Sequence, residues 1–137
     1  MATLVDTNVL IDVFAADPAW LAWSRARLLE AGAEGDLVVN PIVYAELGAM
    51  FPTAQQLDRA MPHDRFRRED LPWDAAFNAG RAFLSYRRAG GARRSPLPDF
   101  YIGAHAEASG HTLLTRDRER YGRYFPALKM ITPDTHP

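Results

Sequence analysis

The chain contains no cysteine, which excludes disulfides and thiolate metal sites, so any metal must be held by oxygen or nitrogen. Lysine is almost missing too: of 16 basic residues only Lys129 is lysine, and the rest are arginine. A GC-rich genome would produce that bias. So would a surface that grips phosphate or carboxylate, which arginine's planar fork suits. No apolar run approaches the roughly 18 residues that a membrane span needs. Met1 leads directly into a β-prone run, with no basic n-region or cleavage-like site. These absences fit a cytoplasmic protein with no membrane partner. There is also no internal repeat, no low-complexity tract, no phosphate-cradling glycine loop and no Ser/His/Asp order of a hydrolase triad. His63, His105, His111 and His136 are scattered without ligand spacing and read as structural or solvent-facing. Trp20, Trp23, Trp73 and the tyrosines near Tyr121 read as core or interface.

What remains is an ordinary globular balance: 137 residues, 47% hydrophobic and 24% charged, enough for one domain over residues 1–137 with a real core. The net charge of −1 conceals an uneven distribution. Between Asp74 and Asp99 there is no acid, yet Arg81, Arg87, Arg88, Arg93 and Arg94 all fall there. Such a local surplus of positive charge can hold a polyanion.

Residues 2–5 form an apolar, β-prone run that stops at Asp6, and a helical pattern with Val9, Leu10, Val13 and Phe14 follows at once. Asp17-Pro18 reads as an N-cap and first helical residue, opening a helix that ends near Gly32. A short strand at 36–39 precedes Asn40-Pro41, another cap-plus-proline start, for a helix through about Met50. Thr53 caps a short helix, residues 65–70 suit a charged edge strand, and a long helix runs from Pro72 to about Ala89. Pro98-Asp99 opens a helix ending near Gly110, His111–Thr115 is a strand, 116–124 a short helix or turn, and 129–131 a last strand. Strands alternating with helices predict an α/β fold, a mostly parallel sheet with helices on both faces.

Four acids stand out in that frame. Asp6 ends the first strand, at the carboxyl edge where open α/β sheets place ligands; an N-cap explains it equally well. Asn8, two residues on, would orient such a site or serve the turn. Glu46 has Ile42, Val43, Ala49 and Met50 as its helical neighbours, so its carboxylate is expected on the apolar face. A charge there needs a cation or an ion pair with an arginine. Asp99 sits in a first turn, above Ile102, Gly103 and Ala106, a small apolar face that implies close packing. Asp117 follows Leu113-Leu-Thr and repeats the strand-to-acid handover, again with a cap as the alternative. Each acid alone is ambiguous. Brought together, four carboxylates would repel unless cations relieved them. Hard cations such as Mg²⁺ or Mn²⁺ favour such all-oxygen sites and can drive phosphodiester hydrolysis. Arg87, Arg88, Arg93, Arg94 and, beside Asp117, Arg116 are the candidates to hold a nucleic-acid backbone. For Arg116, an ion pair with an acid such as Glu119 competes with that role.

At these residues the chain resembles PIN-domain ribonucleases of the VapC toxin type. The matching stretches are Leu4-Val-Asp-Thr-Asn-Val-Leu-Ile-Asp, Asn40-Pro-Ile-Val-Tyr-Ala-Glu-Leu, Leu97-Pro-Asp-Phe-Tyr-Ile-Gly-Ala-His-Ala and Leu113-Leu-Thr-Arg-Asp. They fall in the family's order, and the likeness runs from Thr3 to about Pro133. It implies a three-layer α/β/α fold and an Mg²⁺ or Mn²⁺ site of Asp6, Glu46, Asp99 and Asp117. Thr115 matches the family's hydroxyl residue near the fourth acid, and Asn8 the polar residue beside the first. The implied activity is endoribonucleolytic cleavage of RNA; the implied partners are a small VapB-like antitoxin and a second copy of the chain. Two other readings compete. In a phosphotransferase Asp6 would be the nucleophile, although Asn8 then stands where a general acid is usual. In a non-catalytic module the acids would only bind a cation or a partner's arginines.

Overall fold

The computed structural model describes residues 1–93 and 97–137. Five strands form one sheet: β1 (Thr3–Val5), β2 (Leu37–Val39), β3 (Phe66–Arg68), β4 (Thr112–Leu114) and β5 (Met130–Ile131). Every pairing is parallel and the order is β3-β2-β1-β4-β5. The register aligns Thr3 with Leu37 on one side of β1 and with Thr112 on the other. Parallel strands require crossovers, and helices supply them: α1 (Thr7–Phe14), α2 (Leu21–Glu34), α3 (Pro41–Gly48), α4 (Ala54–Ala60), α5 (Trp73–Arg88), α6 (Pro98–Ser109) and α7 (Arg118–Tyr124). The result is the three-layer α/β/α arrangement expected.

The inner strands β1, β2 and β4 are largely apolar because helices cover both faces, whereas β3 at the edge carries Arg67 and Arg68. Leu4, Val5, Val38, Val39, Leu113 and Leu114 are all buried. From β1 the chain steps outward through β2 to β3, then crosses back to β4 on the far side of β1. That reversal makes the carboxyl ends of β1 and β4 the topological switch point, where two neighbouring loops part and leave a crevice. Asp6 and Thr115 directly follow those two strands.

Local signals behave as capping chemistry requires. Asn40 accepts from Val43 N at 3.0 Å with Pro41 in the first turn. Gly110 takes the left-handed conformation at φ 69° that closes α6. Three boundaries differ from expectation. Asp17 caps a separate turn, accepting from Ala19 N and Trp20 N, so α2 starts only at Leu21; it also runs two residues past Gly32. The α3 helix ends at Gly48, before Met50. On α5 the buried face is the alanine row Ala75, Ala79 and Ala82, leaving Trp73 and Phe77 in solvent. The tail also has a role that its sequence did not suggest: the His136 carbonyl accepts from Trp23 Nε1 at 2.6 Å, pinning it to α2.

Candidate functional site

Asp6 is where the site is built. Its carboxylate is 4% exposed at the end of β1. Oδ1 accepts from Thr7 N at 2.7 Å, and Oδ2 accepts from the Thr115 hydroxyl at 2.7 Å. Asp6 is thus the N-cap of α1, and its second oxygen still faces Thr115 at the candidate site, so capping does not exclude a ligand role. Burial, and then the charge of Asp99, push its pKa up to about 7, against the opposing hydrogen bonds from Thr115, Tyr121 and Thr7. A buried carboxyl under such pressure has an unmet demand for positive charge.

Glu46 joins through Thr7, whose hydroxyl donates to Oε1 at 2.7 Å. It lies at the rim and not in the interior: Glu46 is half-buried, and its neighbours Ala49 and Met50 are exposed because α3 has ended. No arginine pairs with it among the described residues. Asp99, in the first turn of α6, is also half-buried. Its Oδ1 accepts from the Tyr121 hydroxyl at 3.3 Å and its Oδ2 from Arg120. Tyr121 is 1% exposed and lies close enough to Asp6 to lower that acid's pKa. Its own pKa is pushed up by burial and by the charges of Asp6 and Asp99. The approach of α7 to α6 depends on Gly103, where a Cβ would lie 2.5 Å from the Phe125 ring. Asp117 caps α7, accepting from Arg120 N at 3.2 Å, and its own amide donates to the Thr115 hydroxyl at 3.0 Å.

One network therefore connects all four acids along the carboxyl edge of β1 and β4. It is an open arrangement: no three of these carboxylates come within 4.8 Å of one another among the described residues. The donor set still fits a hard divalent cation, because it consists of carboxylates around a buried acid whose ionisation needs compensation. Asn8 donates to Thr115 Oγ1 at 3.5 Å and accepts from Arg116 N at 3.4 Å, bridging the two strand ends.

The arginines divide. The Arg116 guanidinium is bound to buried Asp12, at 2.8 Å and 3.0 Å, and stacks over Trp20. Its partner is therefore Asp12, not Glu119, and this pairing rather than a phosphate contact uses its donors. Arg87 donates to the carbonyls of Gly91 and Arg93, holding the loop. Arg88 and Arg93 are exposed. Arg93 lines a cleft of about 480 Å³ together with Asp117, Arg120 and Arg123. Arg94 lies outside the described residues.

A second cluster went unseen in the sequence. Glu69 Oε1 lies 3.1 Å from His105 Nε2 and 2.7 Å from His111 Nε2. The two histidines are six residues apart and straddle the end of α6, so no helical spacing marks them. Asn40 decides what this cluster is. Its oxygen is taken by the Val43 amide, so its NH₂ faces His105 Nδ1 at 3.0 Å and makes that nitrogen the acceptor. His105 Nε2 then carries the proton and donates to Glu69. A metal would have to displace that proton, so the cluster is a hydrogen-bonded strut between β3, α3 and α6.

The PIN domain profile matches residues 3–124. No curated protein matches the chain. Several solved structures do. VapBC2 from Rickettsia felis, bound to a promoter DNA fragment, superposes with a TM-score of 0.73 at 20% identity, covering 96% of this chain and 98% of that one. FitAcB from Neisseria gonorrhoeae gives 0.65 at 23% identity, covering 98% and 99%. A toxin–antitoxin complex from Klebsiella pneumoniae gives 0.60 at 26% identity, covering 96% and 97%.

Proposed function

The chain belongs to the PIN-domain family, and on that premise we propose that it is a metal-dependent endoribonuclease toxin restrained by a small antitoxin. The observation that carries this reading is the single network joining Asp6, Glu46, Asp99 and Asp117 at the sheet's switch point, with Asp6 buried and starved of compensating charge. These four residues would hold Mg²⁺ or Mn²⁺. When bound, such an ion supplies an acidified water and neutralises charge on the phosphate that is attacked.

The chain's own groups do the positioning. Thr115 and the Thr7 amide fix the two oxygens of Asp6, the Thr7 hydroxyl turns Glu46 toward it, and Tyr121 fixes one oxygen of Asp99. Arg93 and Arg123 border the adjoining cleft, where they would hold the RNA backbone beside the acids. Arg88, exposed in the last turn of α5, is a further candidate for such a contact. The toxin–antitoxin complexes among the similar folds support an antitoxin partner, and the bare aromatic face of α5 supports a second copy of the chain.

The test is direct. Purified protein should cut RNA internally with Mg²⁺ or Mn²⁺ and stop in EDTA. Asp6→Asn and Asp99→Asn should both lose cleavage while keeping the circular dichroism of the parent. Undiminished cleavage by the two variants would remove these acids from the chemistry. RNA left intact by the wild type with either ion would return the site to a binding role.

A further inference from the structure

Arg120 is the one basic side chain that pairs with any of the four acids among the described residues, and it pairs with two of them. Its Nη1 donates to Asp99 Oδ2, and its Nε lies 3.6 Å from Asp117 Oδ2. The remaining oxygens of both acids are occupied by fixed parts of the protein. Asp99 Oδ1 takes the Tyr121 hydroxyl, and Asp117 Oδ1 takes the Arg120 backbone amide as the cap of α7. Each carboxylate therefore has one oxygen tied to the fold and one given to the guanidinium. The guanidinium stands on the two oxygens that a cation would need.

We propose that Arg120 is a built-in counter-ion that exchanges with the divalent cation. It neutralises Asp99 and Asp117 in the metal-free protein and turns into the adjoining cleft to bind an RNA phosphate when a metal takes their free oxygens. The inference rests on the reading of the four acids as metal ligands. The side chain has room to make this move. It is half exposed, whereas its backbone stays held by Asp117 Oδ1 in either state. Once an ion of like charge enters, the guanidinium has lost both partners. The cleft beside it is lined by Arg93 and Arg123 and also by Asp117 and Glu119; once a cation takes Asp117, the arginines face Glu119 alone and the balance favours a polyanion. A planar fork with several donors then meets phosphate in the geometry it fits best.

The exchange has a signature that no merely structural arginine would give. Removing the charge should tighten metal binding while it impairs the reaction. Manganese titrated into the metal-free full chain, with free Mn²⁺ followed by its paramagnetic resonance, should bind Arg120→Gln about fivefold more tightly than wild type. That gain should shrink at high salt, and Arg120→Lys, which keeps the charge, should stay near wild type. At saturating Mn²⁺ the Gln variant should cleave RNA with kcat/KM about tenfold lower, as expected for a lost charged contact to phosphate. Binding no tighter in Arg120→Gln, or cleavage as fast as wild type at saturating metal, overturns the proposal. If wild type and Asp99→Asn alike fail to bind Mn²⁺, the metal-ligand reading falls and takes this one with it. If wild type binds, Asp99→Asn does not, and Arg120→Gln is no tighter, the exchange alone is wrong.

Discussion

The Thr115 hydroxyl lies 2.7 Å from Asp6 Oδ2, joining the carboxyl ends of two adjacent strands across 109 residues of sequence. The Thr115 oxygen also accepts from the Asp117 amide, so one side chain sets the positions of two candidate site acids. Replacing it with valine keeps the shape and removes both bonds together with the 3.5 Å bond from Asn8 Nδ2. A buried carboxylate oxygen left without its donor costs about 1–3 kcal/mol. Urea unfolding should therefore show Thr115→Val less stable by that amount, with Thr115→Ser close to wild type. Equal stability of Val and Ser variants would mean that the hydroxyl contributes nothing.

How far the site could be read in advance follows from the range of the interactions involved. Asp6 and Asp117 can be singled out as candidates because each follows an apolar strand directly, a signal contained within a few residues. The α/β architecture was visible for the same reason, since each element carries its own cap or periodicity. Helical spacing singles out Glu46 but predicts it deeper than it lies, because α3 ends before Met50 and leaves that side open. The partners of these acids were not legible. Tyr121 and Arg120 reach Asp99 from a seven-residue helix whose docking depends on Gly103 meeting Phe125. Arg116 meets Asp12 across 104 residues, and nothing local announces the pair. In each case the chemistry resides in a contact that only the folded sheet creates.

On α5, Trp73 is 90% exposed, Phe77 66% and Leu84 38%, all on a face that the parent fold leaves bare. Aromatic surface of this kind is costly in water and marks a contact. A second copy of the chain is the expected occupant. The double variant Trp73→Ser, Phe77→Ser should keep the circular dichroism of wild type, because within one chain Trp73 faces solvent and Phe77 meets only the Arg81 guanidinium. Sedimentation should at the same time show a dimer becoming a monomer. A dimer of unchanged mass in the variant would exclude this face from the interface.

Gly103 tests how the site depends on packing behind it. A Cβ there would lie 2.5 Å from Phe125 Cε2 and 3.1 Å from Tyr121 Cδ1, both on buried rings. Those rings cannot withdraw without moving α7, so Gly103→Ala should destabilise the protein by about 1–3 kcal/mol. Gly80 on α5 has nothing within 4 Å of its Cβ position. Gly80→Ala should instead stabilise by up to about 1 kcal/mol, through helix propensity. Thermal unfolding of the pair gives the comparison, and equal shifts would refute the packing argument.

Asp6 should make stability depend on pH in a direction opposite to that of most acids. Burial raises its pKa from 3.8 to about 7, so between those values the folded chain holds a proton that the unfolded chain has released. Unfolding free energy then falls as pH rises through that window, by up to about 4 kcal/mol once the window is crossed. Glu69 works the other way and lower down. Burial opposes it, but hydrogen bonds from His111, Arg67 and His105 bring it to about 2, so its contribution is lost only as pH falls below 4.5. His105, lowered by burial, favours the folded state as pH rises toward 6.5 and partly masks Asp6 in the raw curve. Asp6→Asn isolates the effect, since it shares every other group and cannot ionise. Urea midpoints in EDTA from pH 5 to pH 8 should fall more steeply in wild type than in the Asn variant. Adding Mn²⁺ should then restore wild type at pH 8 and do little at pH 5, where the proton already occupies the carboxyl. Parallel curves for the two proteins would show that Asp6 ionises as readily in the fold as in the open chain.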